Sequence, residues 1–205
     1  WITTREFEIP KEIDRFVATD EDMSSPSDYK RFAVTASGIS PRALPCKGRA
    51  LVGATGNEHD EAGHMNESIA NRNTMLEKRQ AKIKGMIQEM DGPESYHGKS
   101  ESLLVGWGSS DGAIREAVDL LRAEHYDVGA LFFSDLWPFP GEKTTDALSQ
   151  CKRFITVEQN ASSQLGLLIR QQTGYSFDAS ILKYDGRPFT PDWIAGKAKS
   201  ALEDM

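Results

Sequence analysis

Hydrophobic residues in the second half of the chain fall in short runs separated by amphipathic stretches. Residues 103–105 are apolar and are followed by Gly106 and Gly108, which predicts a buried strand closed by a tight turn. Apolar positions 114, 117, 118 and 121 recur at intervals of three and four and predict a helix. Val128–Phe133 is a second apolar run. Strand, helix and strand at this spacing form a βαβ unit, so we expect a parallel sheet with a right-handed crossover.

The same patterns predict further elements on both sides of this unit. Strands are expected at 154–158 and 181–184, and helices at 142–150, at 163–172 and from Thr190-Pro191 onward. Ser109, Ser110 or Asp111 would cap the helix that follows the first strand, and Gly174 would end the helix at 163–172. Nearer the N terminus we expect short strands at 32–35 and 50–55, a helix at 67–90 with a sparse apolar face, and a linker at 92–101.

Composition narrows the classes of partner. The chain has 205 residues, with 24 Lys and Arg against 31 Asp and Glu, for a net charge of −7. A negative surface argues against a nucleic-acid backbone or an anionic membrane as the main partner, and no apolar run approaches the roughly 20 residues of a membrane span. Cys46 and Cys151 are too few for a disulfide framework or a four-thiolate metal site, so we expect two reduced thiols in a cytoplasmic protein.

Two short motifs carry candidate chemistry. The glycines at 106, 108 and 112 follow a strand and invite a nucleotide-binding interpretation, but their spacing departs from G-x-G-x-x-G, and such glycines more often simply let the chain turn. Residues 59–64 hold two histidines and two carboxylates, but imidazoles five residues apart do not share one helical face. We therefore expect a polar loop that offers hydrogen bonds and charge to a ligand or a neighbouring subunit. No residue pattern indicates a nucleophile with its base.

Several longer motifs are similar to those of one enzyme family. They are Tyr29-Lys30-Arg31-Phe32, Gly38-Ile39-Ser40-Pro41-Arg42-Ala43, Thr55-Gly56-Asn57-Glu58-His59-Asp60-Glu61, Gly106-Trp107-Gly108-Ser109, Trp137-Pro138-Phe139-Pro140, Val157-Glu158-Gln159-Asn160 and Lys183-Tyr184-Asp185-Gly186-Arg187-Pro188-Phe189. In this order they resemble the α subunit of 2-oxoacid:ferredoxin oxidoreductases, most closely the 2-oxoglutarate (KorA-like) branch. One departure is Cys46, where the family usually has glycine after the proline.

The resemblance implies an architecture. It implies an α/β fold with a mostly parallel sheet flanked by helices, like the C-terminal domain of transketolase, preceded by the tail of a thiamine-pyrimidine-binding domain. Residues 1–65 would be that tail with an active-site loop, residues 66–101 a long connecting helix and linker, and residues 102–205 the transketolase-like domain. The family's Tyr-Pro-Ile-Thr-Pro-Ser type stretch, which contacts the pyrimidine, does not occur in this sequence. The chain therefore resembles the C-terminal part of the subunit.

The resemblance also implies an activity and partners. Such an enzyme converts 2-oxoglutarate, CoA and oxidised ferredoxin to succinyl-CoA, CO2 and reduced ferredoxin. Thiamine diphosphate, Mg²⁺ and an iron–sulfur cluster would belong to the complex, with the diphosphate, Mg²⁺ and cluster held by a β subunit and no cofactor bound by this chain alone. Two cysteines agree with that division, because a cubane cluster takes four thiolates. The alternatives are another 2-oxoacid, such as pyruvate or a branched-chain acid, and a non-catalytic nucleotide-binding or scaffold module.

Three residues are candidates for substrate binding, and none is assigned to catalysis, cofactor or metal. By resemblance, the loop at residues 57–61 approaches the substrate, with Asp60 and the neighbouring His59 positioning its distal carboxylate. An aspartate facing a dicarboxylate is repulsive, so a cation from another chain would lie between them. Arg42 would add positive charge, since its planar fork suits carboxylates. The structural alternatives are loop capping for Asp60 and an inter-domain ion pair for Arg42.

Overall fold

A computed structural model describes residues 9–24, 29–44 and 46–204 of the chain. The chain divides into an N-terminal unit that ends at Glu89 and a C-terminal unit that begins at Met90, and each is described by itself. This boundary falls inside the segment 66–101, which the sequence analysis expects to connect two domains. The assignment of the N-terminal unit to a pyrimidine-binding domain stays a prediction.

A five-stranded sheet in the order β1-β3-β2-β4-β5 forms the centre of the C-terminal unit. Its strands are β1 (Glu94–Tyr96), β2 (Ser102–Trp107), β3 (Val128–Phe133), β4 (Arg153–Glu158) and β5 (Ala179–Leu182). β2, β3, β4 and β5 run parallel, and only β1 pairs antiparallel, along the outer edge of β3. The predicted α/β fold with a mostly parallel sheet is confirmed.

Four helices cover the two faces of this sheet. They are α2 (Asp111–Ala123), α3 (Gly141–Leu148), α4 (Gln164–Thr173) and α5 (Pro191–Glu203), with α1 (Ile69–Glu89) lying in the N-terminal unit. Successive side chains of a strand point to opposite faces, so Leu104 packs with Ile114 and Ile194 of α2 and α5. Leu103 packs on the other face with Leu148 and Ile169 of α3 and α4. Helices on both faces explain why the strands read as continuous apolar runs.

Three sequence predictions about strands are wrong in detail. β1 lies inside the predicted linker 92–101, because three residues on a sheet edge need no apolar pattern; the Tyr96 hydroxyl instead donates to Asp119. The runs at 32–35 and 50–55 form no strand. At the first, the N–H groups of Phe32 and Val34 donate to Glu61, which takes the place of a partner strand. The strand predicted at 181–184 begins two residues earlier, at Ala179.

Of the three predicted helix ends, the structure confirms one and corrects two. Gly174 adopts the left-handed conformation after α4, as predicted. At the start of α2, however, no side-chain oxygen caps the helix: the Ser110 hydroxyl donates back to the Trp107 carbonyl at 2.7 Å, and Asp111 pairs with Arg115. Thr190 precedes the proline of α5 without a side-chain cap. Ser110 ends a single turn of 3-10 helix at Gly108–Ser110, and its hydroxyl bonds to that turn instead of to the orphan N–H groups of α2.

The N-terminal unit has a single helix among its described residues and a small core. Ala18, Met23 and Tyr29 form that core, and the Tyr29 hydroxyl donates to Pro41 O at 3.0 Å and accepts from the Ala43 N–H at 2.7 Å. Helix α1 buries only Met75 and Lys78, so most of its predicted apolar face stays exposed. No helix formed by the described residues is long and apolar enough to cross a membrane.

Candidate functional site

A tight loop after residue 56 holds two of the three predicted site residues, His59 and Asp60. His59 forms an isolated antiparallel bridge with Met65, and the Asp60 N–H donates to the His64 carbonyl at 2.9 Å. Gly63 closes the turn at φ +92°, and a Cβ there would lie 2.3 Å from the carbonyl oxygen of Gly53. Only glycine tolerates both the positive φ and this backbone contact. The sequence Glu61-Ala62-Gly63-His64 therefore specifies a closed loop.

The Asp60 carboxylate holds this loop together. Its Oδ1 accepts the N–H groups of Ala62 at 2.9 Å and His64 at 3.0 Å, and its Oδ2 lies 3.8 Å from His64 Nδ1. The His64 N–H and, after it, the Ala62 N–H lower the pKa of Asp60, which burial opposes. Asp60 is therefore an anion at neutral pH, with Oδ1 committed to the loop and Oδ2 facing an exposed imidazole.

Glu58 fastens the same loop to α1. Its carboxylate accepts from Arg72 Nη1 at 2.6 Å and from both Nη atoms of Arg79 at 3.0 Å. These two guanidinium groups, Arg79 first, lower the pKa of Glu58 to about 2. The sequence analysis assigned this residue no role of its own. The sequence feature that could have revealed this contact is the pair Arg72 and Arg79, which are seven residues apart and therefore lie on one face of a helix.

Glu61 and His59 tie the loop to the Tyr29-Lys30-Arg31-Phe32 segment. Glu61 accepts from Lys30 Nζ at 3.0 Å and from the Val34 N–H at 2.8 Å, and these contacts, the N–H first, lower its pKa. The His59 ring meets Phe32 edge-on with centroids 4.0 Å apart. Its Nδ1 is buried without a hydrogen-bond partner among the described residues. A ligand would therefore have to meet His59 through Nε2.

Arg42 is positioned separately from the other two predicted residues. Its Nε and Nη2 donate to the Arg15 carbonyl at 3.3 and 2.9 Å, and its backbone bridges Val17. Among the described residues no hydrogen bond or ion pair joins it to His59 or Asp60. Arg42 instead lines a cavity of about 340 Å³ that Phe32 also lines. The structure thus brings His59 and Asp60 together in one loop and leaves Arg42 in the adjoining cavity.

We expect the attachment of this loop to α1 to weaken in acid. The pKa of Glu58 lies below its ordinary 4.5, so its stabilisation is complete above about pH 4.5 and is lost as the pH falls toward 2. Over that range the protection of residues 57–66 against hydrogen exchange, relative to the intrinsic rate at each pH, should fall in the native chain and change much less in Glu58→Gln. A loop whose exchange follows the same acid dependence in both proteins would contradict this role.

The two cysteines and the glycines at 106 and 108 are the remaining features that the sequence analysis singles out. No group of three His, Cys, Asp or Glu side chains there is placed to hold a metal. Cys46 is exposed, and the half-buried Cys151 donates through Sγ to the Gly98 carbonyl. A Cβ on Gly106 would lie 2.3 Å from Ile114 Cδ1, and Gly108 turns the chain at φ +59°. Packing and turning account for both glycines.

Comparison with known proteins identifies the relatives of this chain. Residues 100–194 match the family described as "Pyruvate:ferredoxin oxidoreductase core domain II". The α subunit of 2-oxoacid:ferredoxin oxidoreductase 2 from Aeropyrum pernix is 38% identical over 182 residues, which cover 87% of this chain and 28% of that protein. The 2-oxoglutarate oxidoreductase subunit KorA from Mycobacterium tuberculosis is 32% identical over 165 residues, or 75% of this chain and 24% of that protein.

A solved structure matches the chain in three dimensions. It is the 2-oxoglutarate:ferredoxin oxidoreductase from Magnetococcus marinus with 2-oxoglutarate, coenzyme A and succinyl-CoA bound. The match has a TM-score of 0.75 at 34% identity and covers 84% of this chain and 30% of that one. The chain spans between 24% and 30% of the length of these relatives. On these findings the chain belongs to the family of 2-oxoacid:ferredoxin oxidoreductase α subunits.

Proposed function

We propose that the chain is part of the α subunit of an enzyme that converts 2-oxoglutarate, CoA and oxidised ferredoxin to succinyl-CoA, CO2 and reduced ferredoxin. The observation that carries the proposal is the match to the Magnetococcus marinus enzyme, whose structure holds 2-oxoglutarate, coenzyme A and succinyl-CoA. The KorA relative agrees with this substrate. Relatives described only as acting on 2-oxoacids leave a second candidate open, which is the same reaction with pyruvate or a branched-chain acid.

A β subunit is the partner that this proposal needs. Most of the exposed large apolar side chains lie in the N-terminal unit, among them Ile9, Leu51 and Ile69, which are 85%, 75% and 81% exposed. We assign these exposed apolar side chains of the described residues to a surface that another chain covers. We assign thiamine diphosphate, Mg²⁺ and an iron–sulfur cluster to the complex, with the diphosphate, metal and cluster on the β subunit. Bound thiamine diphosphate would supply the carbanion chemistry of decarboxylation. We place the complex in the cytoplasm.

In this proposal the loop of residues 57–66 positions the substrate and performs no bond-making step. Asp60 is ionised at neutral pH, so it repels a carboxylate unless a hydrogen-bond donor lies between them. The exposed His64, 3.8 Å from Asp60 Oδ2, or a cation of the β subunit is placed to be that donor. Glu58 and Glu61 hold the loop against α1 and Lys30. Asp60 would thus orient a cation that binds the distal carboxylate of 2-oxoglutarate.

The test is Asp60→Asn in the reconstituted α/β complex. Asparagine keeps the Oδ1 acceptor on which the loop depends but loses the charge that orients the donor. We expect KM for 2-oxoglutarate to rise about tenfold with kcat nearly unchanged, the signature of lost substrate binding. KM for pyruvate, which lacks a distal carboxylate, should not change.

Asp20→Asn is the matched control, because Asp20 is exposed in the same unit. An unchanged KM for 2-oxoglutarate in Asp60→Asn would remove the assigned role, and a lower KM would mean that Asp60 repels the substrate directly. A wild-type complex that turns over pyruvate or a branched-chain 2-oxoacid faster than 2-oxoglutarate would favour the second candidate. Turnover by the chain without a β subunit would refute the division of labour.

A further inference from the structure

A cavity in the N-terminal unit concentrates positive charge in an acidic chain. Its volume is about 340 Å³, within the range of small-molecule pockets. Its lining includes five cationic side chains and one carboxylate: Arg15, Arg31, Arg42, Lys78, Lys82 and Asp14. The whole chain carries a net charge of −7. The five cationic side chains repel one another, so their proximity requires a negative charge nearby.

Lys78 is the most unusual member of this group. It is only 8% exposed, and its Nζ makes one hydrogen bond, to the Gly38 carbonyl at 3.0 Å. An ammonium has three donors. Burial, followed by the charges of Lys82 and Arg31, lowers the pKa of Lys78. The charge of Glu61 opposes this shift, but among the described residues no carboxylate forms an ion pair with Lys78. A buried cation without an ion-pair partner is costly, and a bound anion would offset that cost.

The remaining cations of the lining have few partners among the described residues. Among the described residues, Arg15, Arg31 and Lys82 have no side-chain hydrogen bond or ion pair, and Arg42 leaves its Nη1 free. The one carboxylate, Asp14, uses Oδ1 to accept the Phe16 N–H at 2.8 Å. The Arg31 guanidinium lies 5.0 Å from the centroid of the Phe32 ring, which holds it at the cavity wall.

We propose that this cavity binds a phosphate or diphosphate group. Guanidinium forks match phosphate oxygens in pairs, and lysine ammonium groups add compact charge. The lining has four more cationic side chains than carboxylates. A phosphoryl anion carries more negative charge than a single carboxylate and therefore balances this excess better. The group belongs either to a free inorganic anion or to a larger phosphorylated ligand. The inference stands on the charges of the cavity and holds whether or not the chain acts on 2-oxoglutarate.

The experiment is calorimetric titration of the purified protein, in the assembly in which it is isolated, with inorganic pyrophosphate. We expect saturable binding that Lys82→Gln and Arg15→Gln each weaken about tenfold, which is about 1.4 kcal/mol, because each removes a charge-assisted hydrogen bond to the anion. Lys84→Gln removes the same charge two residues further along α1, outside the cavity lining, and should leave binding unchanged. Hydrogen exchange confirms that each variant is folded.

Competition titrations distinguish a free anion from a larger phosphorylated ligand. Competition of pyrophosphate by coenzyme A, but not by phosphate-free pantetheine, would support a larger phosphorylated ligand. Pyrophosphate binding without competition would support a free anion. The absence of saturable binding overturns the proposal, as does equal weakening by Lys84→Gln, which would indicate a diffuse surface field. Loss of subunit association in Lys82→Gln without pyrophosphate binding in wild type would assign the cations to a protein interface instead.

Discussion

Replacing Glu158 with glutamine should lower the free energy of unfolding of the C-terminal unit by about 3 kcal/mol, because a buried charged acceptor of several donors is lost. Glu158 ends β4 and is 1% exposed. Its carboxylate accepts the N–H groups of Leu165 at 2.8 Å and Gly166 at 3.1 Å, at the start of α4. The Ser163 hydroxyl at 3.0 Å and Asn160 Nδ2 at 2.8 Å complete its contacts.

The effect is large because the N–H groups of Leu165 and Gly166 are buried at the start of α4 and have no other acceptor there. The first N–H groups of a helix have no acceptor within it, and a carboxylate at this end also complements the helix dipole. Glutamine offers one oxygen and points an NH₂ group at donors, so at least one buried N–H is left unsatisfied. Ser163, at φ +53°, is held in a strained conformation partly by its bond to Glu158.

Urea unfolding followed by tryptophan fluorescence measures this loss, since Trp107, Trp137 and Trp193 belong to the C-terminal unit. Glu124→Gln is the control: Glu124 pairs with Lys199 on the surface at 2.6 Å, and an exposed pair contributes at most about 1 kcal/mol. Equal losses of unfolding free energy in Glu158→Gln and Glu124→Gln would show that the Glu158 carboxylate contributes no more than an exposed charge.

The C-terminal unit was predictable because its elements repeat simple periods. The βαβ pattern around Val128–Phe133 predicted β2, α2 and β3, and the structure adds only the register, with Leu104 beside Ala130. β1 escaped prediction because an edge strand needs backbone partners rather than apolar residues. The capping role of Glu158 escaped it as well. An apolar strand that ends in a glutamate gives no sign that the carboxylate turns back to the next helix.

The N-terminal unit was harder to predict, because side chains and loops hold it rather than a periodic core. The sequence indicated that Asp60 and His59 share a loop, and the motif resemblance gave that loop a role. Neither the sequence pattern nor the resemblance indicated that Glu58 binds Arg72 and Arg79, because those contacts join residues 14 and 21 positions apart. The cavity around Lys78 depends on contacts that span up to 40 positions. Such separations leave no local pattern.

Replacing Gly38 with alanine should destabilise the N-terminal unit by about 3 kcal/mol, from backbone strain and a steric clash. Gly38 has φ +74°, and a Cβ would lie 2.4 Å from the Lys78 carbonyl oxygen and 3.0 Å from Lys82 Cγ. The first neighbour is helix backbone and cannot rotate away. The Gly38 carbonyl also accepts a hydrogen bond from the Lys78 ammonium. A displacement of Gly38 would therefore open the cationic cavity and weaken the packing of α1.

Hydrogen exchange of α1 provides the measurement. Because α1 buries only Met75 and Lys78, its stability depends on the segments packed against it, and Gly38→Ala should accelerate its exchange about a hundredfold at 1.4 kcal/mol per tenfold change. Gly85→Ala gives the opposite sign on the same helix. No atom lies within 4 Å of a Cβ there, so alanine should stabilise α1 by about 1 kcal/mol and slow exchange. If Gly38→Ala left exchange of α1 at the wild-type rate, the contact between Gly38 and Lys78 would not support the helix.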